Sequence, residues 1–164
     1  MTYGPYGPTA PADRPGRIPW PPILLAAALF AAWALGTLVP LPWPGVDDSG
    51  ARAVGLGIGA AGLALAVWAA ATLSRHRTTI LPHARANALV TDGPYRWRRN
   101  PIYLADVMIL LGLAELTKNI WLVGLSLVFA VLVTRLAILP EERHLKARFG
   151  ARWDDYAATT RRWI

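Results

Sequence analysis

The chain has 164 residues, of which 54% are apolar and 16% charged, too little charge for an ordinary soluble domain and a composition that points to a membrane protein. Cysteine is absent, which excludes disulfides, thiolate metal sites and cysteine nucleophiles. The net charge of +7 is carried by arginines beside apolar runs, so its expected counterpart is a bilayer with anionic headgroups and not nucleic acid.

Residues 1–18 repeat Tyr-Gly-Pro, at Tyr3-Gly4-Pro5 and Tyr6-Gly7-Pro8. That composition predicts a disordered tail. Residues 20–39 then run without a charge for twenty positions, about the ~20 residues needed to cross ~30 Å of hydrocarbon as a helix. Pro21 and Pro22 fall in its first turn, where a missing N–H costs little. Pro40, Pro42, Pro44 and Gly45 break this run, and Asp47-Asp48 mark a polar link to a second apolar run at 53–73, giving a first hairpin. In the second run Gly55, Gly59 and Gly62 either admit a close helix neighbour or are ordinary small-residue content.

From residue 74 to 100 the chain is polar, with six arginines against the single acid Asp92, a segment the positive-inside tendency keeps in the cytoplasm. A third run, 101–116, is shorter and contains Asp106; a fourth, 120–139, has Arg135 near its end. Only residues 115–119 are left to turn between them. After Pro140 a charged stretch, 141–149, predicts a helix stopped by a glycine cap at Gly150. A last helix is expected over 153–163, with Asp154 and Asp155 in its first turn and Arg161 and Arg162 in its last, as the helix dipole favours. Its Trp153, Tyr156 and Trp163 would sit at headgroup level. The pattern predicts an all-α polytopic membrane protein with about four transmembrane helices, a cytoplasmic C-terminal helical cap and both termini in the cytoplasm. His76, His83 and His144 lack metal-ligand spacing, so no metal site is expected.

Two features exceed what anchoring requires: Gly93-Pro94-Tyr95 leading into Arg98-Arg99-Asn100-Pro101-Ile102-Tyr103, and Glu141-Glu142 directly after the last run. With Leu-Val-Thr-Asp-Gly-Pro-Tyr before them and Phe-Gly-x-x-Trp-x-x-Tyr after, this half resembles the isoprenylcysteine carboxyl methyltransferase family and the related phospholipid methyltransferases, as a bacterial-type member. The resemblance covers roughly residues 78–164. Composition and hydropathy give the tail at 1–18 and a first transmembrane hairpin at 19–74, and the resemblance implies a methyltransferase-like catalytic region at 75–164, in a bacterial cytoplasmic membrane.

The resemblance also implies S-adenosyl-L-methionine as cofactor and a lipid-like or membrane-soluble acceptor, methylated on a carboxyl oxygen or an amine. Carried over by residue, Asn87, Ala88, Leu89, Val90, Tyr95, Asn100, Pro101, Ile102, Tyr103, Glu141 and Glu142 would hold the cofactor. Asn100 stands where the family often has histidine, and Ala105 where a glycine is common. Ala137 falls at about the place of the arginine that meets the substrate carboxyl in the prenylcysteine enzymes, which points away from prenylcysteine.

The chemistry of the residues runs in the same direction. A carboxylate such as Glu141 accepts hydrogen bonds from ribose hydroxyls or an ammonium, and the helix start at Pro101 offers N–H groups to a carboxylate. A solvated first helical turn would equally favour Glu141 and Glu142. Tyr103, Asp106, Arg135 and Glu142 are the candidates for the chemical step, with Tyr103, Asp106 or Glu142 able to take a proton from an amine or hydroxyl. An acid inside a span costs roughly 2.5–3.5 kcal/mol on insertion scales, so Asp106 either faces substrate or pairs with Arg135. Two other readings stay open, a membrane reductase using NADPH through a similar helical region and a non-enzymatic scaffold.

Overall fold

The computed structural model describes residues 18–77 and 88–164; the tail expected at 1–18 lies outside them but for its last residue. Six α-helices follow in order: α1 Trp20–Leu38, α2 Ser49–Arg75, α3 Pro101–Thr117, α4 Ile120–Val133, α5 Leu139–Phe149 and α6 Ala151–Thr159. A 3-10 turn, Gly93–Arg96, precedes α3. There is no strand among the described residues, only an isolated bridge between Arg98 and Arg161.

Local chemistry sets the ends. The Asp48 carboxylate accepts a hydrogen bond from the Ala51 N–H at 2.7 Å, and this N-cap starts α2 four residues before the apolar run does. Between α3 and α4 only two residues intervene: Lys118 takes a left-handed conformation, φ 52°, and the Asn119 side chain caps α4 by accepting from Trp121 N at 3.0 Å.

The fourth span does not end at Pro140. One continuous helix runs from Ile120 to Phe149 over 30 residues, with a π-helical segment at Thr134–Ile138 closed by a hydrogen bond from Leu139 N–H to Thr134 O. Proline lacks the N–H for this ladder and its ring crowds the carbonyl four residues back. Widening the preceding turn lets the helix continue through Pro140.

Gly150, φ +53°, turns the chain into α6, which stops at Thr159 rather than running to 163. Arg161 and Arg162 therefore do not lie in a last helical turn. They belong to an extended tail held by other partners, Arg99 N–H donating to Arg161 O at 2.9 Å and Arg162 pairing with Glu142.

Helix packing does not follow the chain order. α1 lies against α4, and α2 against α3, while α3 also packs on α4; the two helices of the first hairpin find their main partners in the other half of the chain. The α2–α3 contact settles the two readings of the glycines. A Cβ on Gly112 would stand 2.6 Å from the Gly59 Cα, and one on Gly62 would stand 2.9 Å from the Ala105 carbonyl oxygen, so the two backbones touch and only glycine fits. Between α1, α3, α4 and the π segment, Leu110, Phe129, Val133 and Ile138 form the core, each no more than 2% exposed.

Three helices are long and apolar enough to cross a membrane: α1, α2 and the continuous Ile120–Phe149 helix. α3, with 17 residues, is about 25 Å long at 1.5 Å per residue and packs on both α2 and the long helix. Phe30, Leu63 and Val131 point outward and are 60% or more exposed, an apolar outer surface suited to lipid. The chain is an all-α polytopic membrane protein.

Candidate functional site

At the end of the bundle where α3 begins, the segment 88–90, the 3-10 turn, α5 and α6 close around a small cavity of about 100 Å³. Gly93 positions one wall. Its φ is +56°, and a Cβ there would stand 2.6 Å from the Thr72 hydroxyl of α2, so glycine is needed for both the turn and the approach. The next residues, Pro94 and Tyr95, are buried against α2, where Ala69, Val90 and Tyr95 make a small core with Leu73 and Ile102.

The helix start supplies the second wall. Asn100, Pro101, Ile102 and Tyr103 all line the cavity, as do Ala88, Leu89 and Val90 opposite. Asn100 also ties down the tail, its side-chain amide donating to Arg162 O at 3.1 Å. Asn87 lies outside the described residues.

The third wall carries the acids. Glu141 and Glu142 both reach the cavity from α5, yet their surroundings differ. Glu142 accepts two hydrogen bonds from the Arg162 guanidinium, at 3.0 and 2.7 Å, and has Arg99 Nε at 3.7 Å. Two guanidinium groups share this carboxylate. Glu141, half-buried, has no hydrogen bond or ion pair among the described residues. It is the carboxylate left for something else to satisfy.

α6 forms the roof. Trp153 and Tyr156 are 5% and 9% exposed and line the cavity, because α6 folds its apolar face back over the site. The Tyr156 hydroxyl donates to Tyr95 O at 2.7 Å, pinning α6 to the 3-10 turn, and Arg99 stands over the Trp153 ring at 5.9 Å. Burial pushes the Tyr156 phenol up to about 12. Burial and then the charge of Glu141 hold the Tyr95 phenol far above its usual value, so both phenols stay protonated at physiological pH.

Two candidates for the chemical step lie elsewhere. Asp106 follows Tyr103 by three residues, half-buried and without a hydrogen bond or ion pair among the described residues. It is not paired with Arg135, which lines a separate groove beside Leu104 and Val107, a stripe of α3 turned by about 100° or more from Asp106 at 3.6 residues per turn. The remaining lining residues, Leu73, Arg99, Ile138, Leu145, Trp153 and Tyr156, escaped sequence reasoning. Trp153 and Tyr156 had a signal in the Phe-Gly-x-x-Trp-x-x-Tyr motif; Leu73, Ile138 and Leu145 had none, since their place depends on how the helices meet.

The family model for phospholipid methyltransferases matches residues 51–152, the stretch that holds the glycine-packed helices and nearly the whole cavity. The chain belongs to the phospholipid methyltransferase family. It is 33% identical over 119 residues to the nickel-cobalt-cadmium resistance protein NccN of Alcaligenes xylosoxydans xylosoxydans, an alignment covering 70% of this chain and 51% of that protein; the chain thus spans about half the length of this curated relative. No solved structure matches.

Proposed function

We propose that the protein is an S-adenosyl-L-methionine-dependent membrane methyltransferase acting on a lipid-like acceptor. The observation that carries this reading is the unpaired Glu141 carboxylate facing the Asn100 to Tyr103 helix start across one cavity.

The residues fit the cofactor part by part. Glu141 would accept from the ribose hydroxyls or the ammonium, the Ile102 and Tyr103 N–H groups at the start of α3 and the Arg99 guanidinium would hold the carboxylate, and Leu89, Val90 and Ile102 would enclose the adenine. The cofactor supplies a methyl group on a sulfonium. Such a displacement disperses charge and gains mainly from alignment and from excluding water, which α6 does with Trp153 and Tyr156. An amine or hydroxyl acceptor has to lose a proton; with Glu142 tied to Arg162 and Arg99 and Glu141 assigned to the cofactor, Asp106, outside the cavity lining but one turn along α3 from Tyr103, would be the acid to receive it.

Lateral approach suits a membrane acceptor, since the cavity adjoins helices whose outer faces are lipid-like. Arg75, Arg77, Arg96, Arg98 and Arg99 and the arginines of the tail sit at the cavity end, which the positive-inside tendency would put in the cytoplasm of a bacterial cell with both termini. The metal resistance in the relative's name is said of that protein alone.

Thermal unfolding of the purified protein with S-adenosylhomocysteine and with NADPH tests the reading, since a true ligand raises the transition temperature. S-adenosylhomocysteine is expected to stabilise and NADPH not to. Stabilisation by NADPH would transfer the protein to the reductases, and none by either would make it a scaffold. Incubating membranes with a labelled methyl donor then identifies the labelled lipid.

A further inference from the structure

A second concavity opens on the outside of the bundle, beside the first turns of α3. Leu104 and Val107 of α3 and Ala130 and Val131 of α4 form its apolar length, and Thr134, Arg135, Trp163 and Ile164 form its upper end. Val131 is 60% exposed and Ile164 79%, so the groove faces the bilayer.

Its upper end is built. The Trp163 indole N–H donates to the Thr134 hydroxyl at 3.1 Å, and Thr134 in turn donates to Ala130 O, so the tail is fastened to the π segment. The tail is fastened to the cavity as well, through the Arg162–Glu142 pair. One four-residue strap therefore borders both hollows. Arg135, exposed at the end of this apolar slot, has no hydrogen bond, ion pair or ring contact among the described residues. A guanidinium that presents a planar fork of donors without an acid to meet it, at the end of an apolar slot, matches an amphiphile whose charge is negative.

We propose that this groove docks an anionic phospholipid, with an acyl chain along Leu104, Val107 and Val131 and the headgroup phosphate on Arg135, the indole of Trp163 beside it at the interface. This goes beyond the methyltransferase reading and does not rest on it. Occupancy of the groove does not depend on methyl transfer, and the experiment keeps the two apart.

The full-length protein is placed in nanodiscs of zwitterionic lipid doped with phosphatidylglycerol brominated in its acyl chains, or with equally brominated phosphatidylcholine. Quenching assigned to Trp163 is the difference between the wild type and Trp163→Phe. Phosphatidylglycerol is expected to quench Trp163 with a preference of roughly fivefold, the scale of one basic residue near an anionic surface. Arg135→Gln should remove the preference, Arg135→Lys keep most of it, and Val107→Phe reduce quenching by both lipids. Equal quenching by the two lipids in the wild type, or a preference unchanged in Arg135→Gln, overturns the proposal. The melting shift with S-adenosylhomocysteine, retained in each variant, shows that the cavity is intact. If the wild type shows the lipid preference but no such shift, the groove stands and the methyltransferase reading falls.

Discussion

Two half-buried glutamates mark the two ends of the bundle, and they are treated in opposite ways. Glu115, near the end of α3, pairs with Lys118, which also reaches Asp47 at 3.1 Å and stands over the Trp43 ring at 5.6 Å. Here α2 and α3 touch, so that a Cβ on Gly55 would collide with the Glu115 side chain, and Asn119 and Trp121 donate across to Ala32 O and Val39 O of α1 and its following loop, beside an open groove lined by Trp33, Pro40 and Lys118. Glu141, at the other end, meets no cation and opens onto a cavity. The difference teaches that this fold can satisfy a half-buried acid when stability is all that is asked, so an acid left unsatisfied has another partner to wait for.

The sharpest way to break the comparison is to force apart the tight α2–α3 contact. Gly112→Val puts branched carbons where the Gly59 backbone already stands, and overpacking of this kind costs ~1–3 kcal/mol; a value near ~3 kcal/mol is expected in reversible unfolding in detergent, because backbone cannot step aside as a side chain can. Next in size, Glu141→Gln should weaken S-adenosylhomocysteine binding by about 2 kcal/mol, the scale of a hydrogen bond to a charged group, while leaving the unfolding midpoint in the absence of ligand unchanged or raised. Equal affinity for wild type and variant in titration calorimetry would erase the distinction between the two acids.

Glu115→Gln should do the reverse, lowering stability by about 1 kcal/mol and leaving ligand affinity alone. The smallest effect belongs to Asp92, whose carboxylate meets His76 Nε2 at 2.8 Å and is held below its usual 3.8 by that hydrogen bond. Because its folded pKa is depressed, whatever it adds is present above about pH 4 and lost as the pH falls through the folded value. Asp92→Asn is expected to shift stability by less than about 0.5 kcal/mol at pH 7, and the shift should fade as the pH falls through the folded value when unfolding is followed against pH.

The fold and most of the cavity wall were legible because they rest on local signals. Uncharged runs of twenty residues mark spans, prolines and paired aspartates mark their breaks, and the Gly-Pro-Tyr and Asn-Pro-x-Tyr stretches are turns and helix starts whose chemistry shows in the letters. What stayed hidden depends on residues distant in sequence. That Glu142 and not Glu141 would capture Arg162, twenty residues on, follows from where the tail crosses the bundle. That Trp153 roofs the site follows from how α6 folds back after Gly150. Asp106 and Arg135 read as a pair because each needed one, yet they occupy different stripes of adjacent helices. The partnership of α1 with α4, in place of its chain neighbour α2, has no signature in hydropathy.

The π segment before Pro140 also fixes a phase. A turn widened by about one residue offsets every side chain downstream by ~100° relative to an unbroken α-helix, and Glu141 and Glu142 come three and four residues after it ends. Removing a single residue between Thr134 and Ile138 would let the helix close to its ordinary pitch and swing both acids around its circumference, moving Glu141 off the cavity with every side chain of the site still present in the sequence. The length of this stretch is thereby as constrained as its composition, and natural insertions or deletions should avoid it while the loops at the far end accept them.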